Sequence, residues 1–294
     1  MVVGDRHAFL ITAYCQPDLL RTLVRLLDHP DTDIFVHLDA ATMPTVGLPT
    51  VHSRRFVARS SVHWCGESIT RATLGLLREA VSLDDYAYIH MISGTDLPLV
   101  PFPTIQDRLA GRTEQFLKQC PHLDEHARWK VAYWHPFVET HHYRTSTPLK
   151  VISHGAVLAQ RNLGLDRMRR LGIEPRHTSP WWSITQDFAN WLLSKEDWIR
   201  SVFIRGLAAE EVFTLTAYDT FKPDFALSSR QEGDLRLLNA EPGEVRSPRD
   251  FTMADLQTLR AAAPQVLFAR KFDIERQPAI VNHIAGRILG GNPI

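Results

Sequence analysis

The chain has 294 residues, 44% hydrophobic and 22% charged, with Lys+Arg and Asp+Glu both at 33. Such a chain can bury a sizeable core as one large domain, and its composition excludes a disordered polypeptide. A formal charge of zero removes the basic excess typical of general nucleic-acid binders, so no nucleic-acid partner is expected.

The apolar run Ala8 to Ala13 is too short for the hydrophobic region of a secretory signal and reads as a strand. No stretch approaches the roughly 20 apolar residues of a membrane span. Cys15, Cys65 and Cys120 are odd in number and lack metal-ligand spacing, which fits thiols in a reducing compartment. A cytoplasmic protein without a membrane span is the expectation.

In chain order, His7 to Ala13 is predicted as the first strand. Pro17 suits a first helical turn, and Leu19, Leu20, Leu23, Leu26 and Leu27 follow at helical spacing. Asp33 to Leu38 reads as a second strand closing at Asp39, with a third near Arg55 to Ala58. A helix is expected from about Ser68 to Ser82, with Ile69, Ala72, Leu76 and Ala80 on one face. Tyr86 to Ile92 is a buried strand leading into the turn Ser93-Gly94-Thr95-Asp96. This alternation predicts an α/β sheet with parallel strands, whose ligands bind beyond the carboxyl ends. Ala13-Tyr14, Asp39 and the Ser93 to Asp96 turn should then be lips of one cleft.

The segment from about Pro121 to Pro148 is rich in His, Trp and Tyr and shows no clear period. It reads as a long structured loop of the kind that carries binding residues. A strand near Trp181 to Thr185, a helix from Gln186 to about Lys195 and an acid-led helix from Ala209 to about Tyr218 follow. Glu241 to Pro248 is a turn-rich linker. A short helix from about Met253 to Ala262 then leads to the run Leu267 to Asp273. No internal repeat is present.

Several residues have types suited to chemistry. Glu210 and Glu211 could simply favour a helix dipole. Adjacent helical residues point about 100° apart, so at most one should face a cleft, where a partly desolvated carboxylate suits a general base. Arg246, Arg270 and Lys271 could neutralise a diphosphate without a metal, although exposed arginines are common. Asp39 can accept hydrogen bonds from a base or ribose, or cap the next turn. Asp96 is a turn residue or a donor contact. Asp31-Thr32-Asp33 has the literal spacing of a metal motif but precedes its strand, as Asp84-Asp85 does, so no metal is expected. His135, His141 and His142 lack helical ligand spacing and carry little zinc signal. Trp181 and Trp182 should face opposite sides of a strand, one packing in the core and one available to a sugar. Trp64 and Trp129 share that ambiguity.

Together these segments resemble the core-2/I-branching β-1,6-N-acetylglucosaminyltransferase family, which includes peptide-O-xylosyltransferases. The likeness runs through Phe35 to Asp39, Val62-His63-Trp64-Cys65-Gly66-Glu67-Ser68, Ser93 to Leu99, Arg128-Trp129-Lys130 and Ser179 to Thr185. It continues through Glu210-Glu211-Val212-Phe213, Val245-Arg246-Ser247, Asp255-Leu256 and Leu267 to Asp273. The chain departs from the family pattern in Glu210, where Asp is usual, and in Val212-Phe213-Thr214.

The resemblance implies a GT-A-like α/β fold with a mostly parallel central sheet in a single domain, 1–294. Its nucleotide-sugar half would be about 1–120 and its acceptor and catalytic half about 121–294. It also implies an inverting, metal-independent transfer from a UDP-sugar to a glycan hydroxyl, with no cofactor. Glu211 inherits the role of base, and Arg246 and Lys271 that of diphosphate ligands. Asp39 and Asp96 join the donor site, while Arg128, Lys130, Trp181 and Trp182 join the acceptor site. UDP-N-acetylglucosamine is the first donor and UDP-xylose the alternative. A catalytically silent glycan-binding relative, or a metal-dependent enzyme using Asp31, Asp33 or Asp96, are the competing classes.

Overall fold

The computed structural model describes residues 6–143, 145–240 and 248–294. The chain begins with β1 (His7–Ala13), α1 (Pro17–Leu27), β2 (Thr32–Asp39), β3 (Arg54–Ser60), α2 (Glu67–Leu83), β4 (Tyr88–Ser93), β5 (Asp96–Pro98) and α3 (Phe102–Leu109). Then come α4 (Asp124–Val131), α5 (Thr147–Asn162), α6 (Arg167–Leu171), β6 (Trp182–Ile184), α7 (Gln186–Leu193) and α8 (Glu196–Phe203). After a 3-10 turn, Ala209–Glu211, the chain forms α9 (Phe213–Phe221), β7 (Arg236–Leu238), α10 (Leu256–Ala262), β8 (Phe268–Arg270) and α11 (Pro278–Leu289).

A five-stranded sheet has the order β3-β2-β1-β4-β6, and a three-stranded sheet has the order β5-β8-β7. In the large sheet β3, β2, β1 and β4 run parallel, and β6 is antiparallel to β4. This is the mixed α/β architecture expected of a GT-A-like fold. All residues of β2 and β4 are buried, as parallel strands covered on both faces require. Alternate β1 side chains feed two cores. Phe9 and Ile11 pack with Leu23 of α1, Phe268 of β8 and Ile284 of α11. Ala8 and Leu10 pack on the other face with Leu77 of α2, Phe188 of α7 and Phe213 of α9. The strand β3 forms an exposed edge.

Register explains how distant residues meet. Ala13 pairs with Leu38, Asp39 with Ser60, and Thr12 with Ser93, so the carboxyl ends of four strands share one edge. Gly94 follows the last of them, donates its N–H to the Thr12 carbonyl at 2.8 Å, and packs against β1. A Cβ there would stand 2.9 Å from the Ala13 Cβ, so only glycine permits this approach. Trp182 pairs with Met91, which brings the residue before it to the same edge.

Two expectations need correction. The helix expected from Ala209 to Tyr218 is broken: the 3-10 turn ends at Glu211, and α9 begins after Val212, whose φ is −137°. The segment 121–148 is not irregular throughout, since α4 occupies part of it and α5 starts at Thr147.

Candidate active site

The opposite, amino edge of the large sheet is closed by an ion cluster. The fully buried Asp33 carboxylate accepts from Arg54 Nε at 3.0 Å and Nη2 at 2.5 Å, and from the Tyr86 hydroxyl at 2.8 Å. Arg6 Nη2 lies 2.8 Å away. Burial works against the charge on Asp33, but Arg54, Arg6 and Tyr86 outweigh it and keep its pKa below the ordinary value. Asp84 is also bonded to Arg54, and Asp31 lies against His29. These acids are thus remote from the carboxyl edge and already engaged.

At the carboxyl edge, Asp39 ties loops together. Its Oδ1 accepts from the Ala41 and Val62 N–H groups at 3.1 and 3.0 Å, and the Thr42 hydroxyl lies 2.6 Å from Oδ2. Burial alone would raise its pKa, but the Thr42, Val62 and Ala41 bonds prevail and lower it. The Thr42 hydroxyl is also 2.7 Å from the Tyr14 carbonyl, so Tyr14 and Asp39 do border one place, as the strand-end rule predicts.

Asp96 is fully buried. It accepts from the Ser93 N–H at 3.0 Å and from Arg270 Nη1 at 2.8 Å, across the β5–β8 pairing. The Arg270 guanidinium lies 4.7 Å from the centre of the Trp181 ring, a cation–π arrangement that holds both groups on the rim. Lys271 is the next residue, with its Nζ 3.7 Å from Asp250 Oδ1. Arg246 lies outside the described residues. Trp182 is buried in the core, which corrects its expected place in the acceptor site: the antiparallel pairing of β6 with β4 turns its ring into the packed layer, and only Trp181 stays half-buried at the edge.

The two glutamates differ sharply. Glu210 Oε2 is buried without a hydrogen-bond partner. Burial first, then the neighbouring Glu211 charge, push its pKa up to about 8. Glu211 keeps 33% of its side chain exposed and pairs with Lys130, whose side chain is nearly buried. His177 Nε2 stands 3.8 Å from Glu211 Oε2. Burial, followed by the Lys130 ammonium, holds the His177 pKa down to about 4 against the pull of Glu211. His177 is therefore a neutral neighbour near pH 7.

The backbone locks this group to the strand-end loops. Cys65 and Ala208 both have left-handed φ values, 62° and 49°, and the Ala208 N–H donates to the Cys65 carbonyl at 2.7 Å. Paired residues in that sparsely populated region are a local strain of the kind found at functional sites. The Thr178 N–H donates to the Glu211 carbonyl at 2.8 Å, linking it to the segment before Trp181. Arg128, by contrast, is spent on Asp166 and Glu174 at 2.8 and 2.7 Å. Of the Arg128-Trp129-Lys130 stretch, only Lys130 touches Glu211 directly.

Sequence reasoning missed His177 and the His63–Glu139 pair, which meet at 3.0 Å. Glu139 also accepts from the Ser68 N–H and, with His63, Ser60 and Arg71, lines a cavity of about 480 Å³. A larger concavity, about 690 Å³, lies on the other side of β3 and shares no residue with these groups. No periodicity marks His177 or Glu139, because both stand in irregular segments. The histidines weighed for zinc separate: His135 is buried against Trp129, and His141 lies with its ring 4.5 Å from His63. Among the described residues, no three His, Cys, Asp or Glu side chains gather as a metal site.

Comparison with known families gives one match: the family model named Branch, the core-2/I-branching enzyme, covers residues 7–216. No curated protein matches the chain. The matched span includes the strand ends, Lys130, Trp181 and Glu211, and stops short of Arg270 and Lys271.

Proposed function

Because the chain belongs to the core-2/I-branching enzyme family, a family of glycosyltransferases, we propose that it transfers N-acetylglucosamine from UDP-N-acetylglucosamine to a glycan hydroxyl. Transfer proceeds with inversion and without a metal ion. The placement of Glu211 carries this reading. It is the more accessible carboxylate of its pair, and its backbone is tied through Thr178 to the segment that carries Trp181, which in turn meets Arg270.

Glu211 takes the proton of the acceptor hydroxyl as that oxygen attacks the anomeric carbon, and the bond from that carbon to the diphosphate oxygen breaks on the opposite face. Negative charge then grows on the leaving diphosphate, where Lys271 and Arg246 stabilise it. Glu210 is unsuited to the base role near neutral pH, since its raised pKa keeps it protonated. Lys130 orients the Glu211 carboxylate, and its release frees a donor for an acceptor hydroxyl. Asp39 shapes the nucleoside site through the loops it joins. Asp96 acts on the donor through Arg270, which the Trp181 ring also holds in place.

A thermal-unfolding screen of UDP-sugars in EDTA tests the reading, since a ligand that binds the folded state raises Tm. UDP-N-acetylglucosamine should give the largest shift, and transfer should persist in the chelator. A larger shift with UDP-xylose would move the donor assignment to that sugar. Activity lost in EDTA and restored by magnesium or manganese would overturn the metal-free mechanism.

A further inference from the structure

The 16-residue helix α5 lies on the surface with only Ser153 and Val157 buried. Its outer face is apolar: Val151 is 65% exposed, Ile152 55% and Leu158 41%. Val151 and Leu158 are seven residues apart and form one stripe, which Ile152 borders. Lys150, His154 and Arg161, at spacings of four and seven, flank that stripe on one side. The chain from 140 to 165 contains no Asp or Glu. The acids that bound it are engaged, Glu139 with His63 and Asp166 with Arg128.

Aromatic side chains extend the face at both ends of α5. Lys150 Nζ lies 5.9 Å from the centre of the Trp64 ring. Gln160 brackets Trp134, accepting from its N–H at 2.9 Å and donating to its carbonyl at 2.8 Å. The Arg205 guanidinium sits 5.2 Å from the Trp134 ring. Trp64 and Trp134 are both about half exposed. An apolar helical stripe, a cationic flank and tryptophans at the margins are what a helix in the plane of a lipid interface presents. No described helix is long and apolar enough to cross a membrane.

We propose that the α5 face, with Trp64 and Trp134, docks on an anionic lipid bilayer. Val151, Ile152 and Leu158 enter the headgroup boundary, while Lys150, Arg161 and Arg205 meet lipid phosphates. Charge selects this occupant over a second copy of the chain, because self-association would bring these cations together with no acid to answer them. Trp64 adjoins Cys65, which bonds to the segment carrying Glu211, so docking places the candidate site beside the bilayer.

Vesicle co-sedimentation tests the proposal, using phosphatidylcholine alone and phosphatidylcholine mixed with phosphatidylglycerol. The protein should sediment with the anionic vesicles at low salt, and binding should fall roughly tenfold or more at high salt or without phosphatidylglycerol. Val151→Asp combined with Leu158→Asp should lower binding by a similar factor without changing Tm, since both side chains are exposed. Lys150→Glu with Arg161→Glu should act likewise. No sedimentation with either vesicle, or undiminished binding by the Asp pair, would overturn the assignment. So would a dimer seen by analytical ultracentrifugation that the Asp pair converts to monomer, which gives the face to a second copy. UDP titration of the same variants separates this surface from the transfer site: wild-type affinity is expected, and joint loss of UDP and vesicle binding would contradict a separate docking face.

Discussion

At the amino edge of the large sheet, Asp33 is buried and held by Arg6, Arg54 and Tyr86, whereas at the carboxyl edge Glu210 keeps a buried oxygen without a partner and Glu211 stays partly exposed. Both edges use carboxylates and cations, but bonds to partners prevail over burial at Asp33, as they do at Asp39, and lower the pKa, whereas burial prevails at Glu210 and raises it. The amino edge satisfies its charge and fastens strands. The carboxyl edge leaves capacity for hydrogen bonding and proton transfer, at some cost in stability. Perturbed groups with unused capacity mark a site more reliably than charge alone.

The largest effect should come from the saturated edge. Asp33→Ala removes the buried carboxylate that Arg6, Arg54 and Tyr86 share, leaves the two arginines only Asp84, and should cost up to about 3–5 kcal/mol, the range for breaking a buried ion pair. Denaturant unfolding measures the loss, and UDP affinity of the folded fraction should stay near wild type. A cost under about 1 kcal/mol, the value of an exposed pair, would erase the contrast between the edges.

Lys271→Ala should weaken UDP binding roughly ten- to hundredfold, equivalent to about 1.5–3 kcal/mol for a charge-assisted contact, with little change in folding. Arg246→Ala should act in the same direction. Calorimetric titration with UDP checks both, and unchanged affinity would remove the residue from the donor site.

A further effect is a change of slope with pH. With its pKa raised from 4.5 to about 8, Glu210 binds more proton in the folded than in the unfolded state across that window. Its contribution is therefore fully present below the unfolded value and is lost as pH rises towards about 8. Glu210→Gln should flatten the fall in Tm across this window, and an identical slope in variant and wild type would mean that Glu210 is not held protonated.

Much of the sheet was legible because its elements obey simple periods. Pro17 and the leucines of α1 mark a helix, and the continuous apolar run of β2 marks a buried parallel strand. Helix α5 escaped because its outward face is apolar and little of it is buried, so no amphipathic pattern aimed at the core exists. Helix α11 was readable but not read: Pro278 opens it, and Ile280, Val281, Ile284 and Ile288 recur at helical spacing. The acid pair was found, but its environment could not be, since Lys130 and His177 reach Glu211 only through tertiary packing. The engagement of Asp96 by Arg270 likewise depends on the pairing of β5 with a strand far along the chain.

The central claim is that Glu211, rather than Glu210, removes the acceptor proton. It is tested most directly by transfer rates of Glu211→Gln and Glu210→Gln, with Tm and UDP affinity measured on the same samples. Glu211→Gln should lose a factor of about 10² or more in rate, within the range for loss of a general base, while keeping its Tm and UDP binding. Glu210→Gln should retain most of the rate. Near-normal transfer by a folded Glu211→Gln, or a collapse confined to Glu210→Gln, would contradict the assignment.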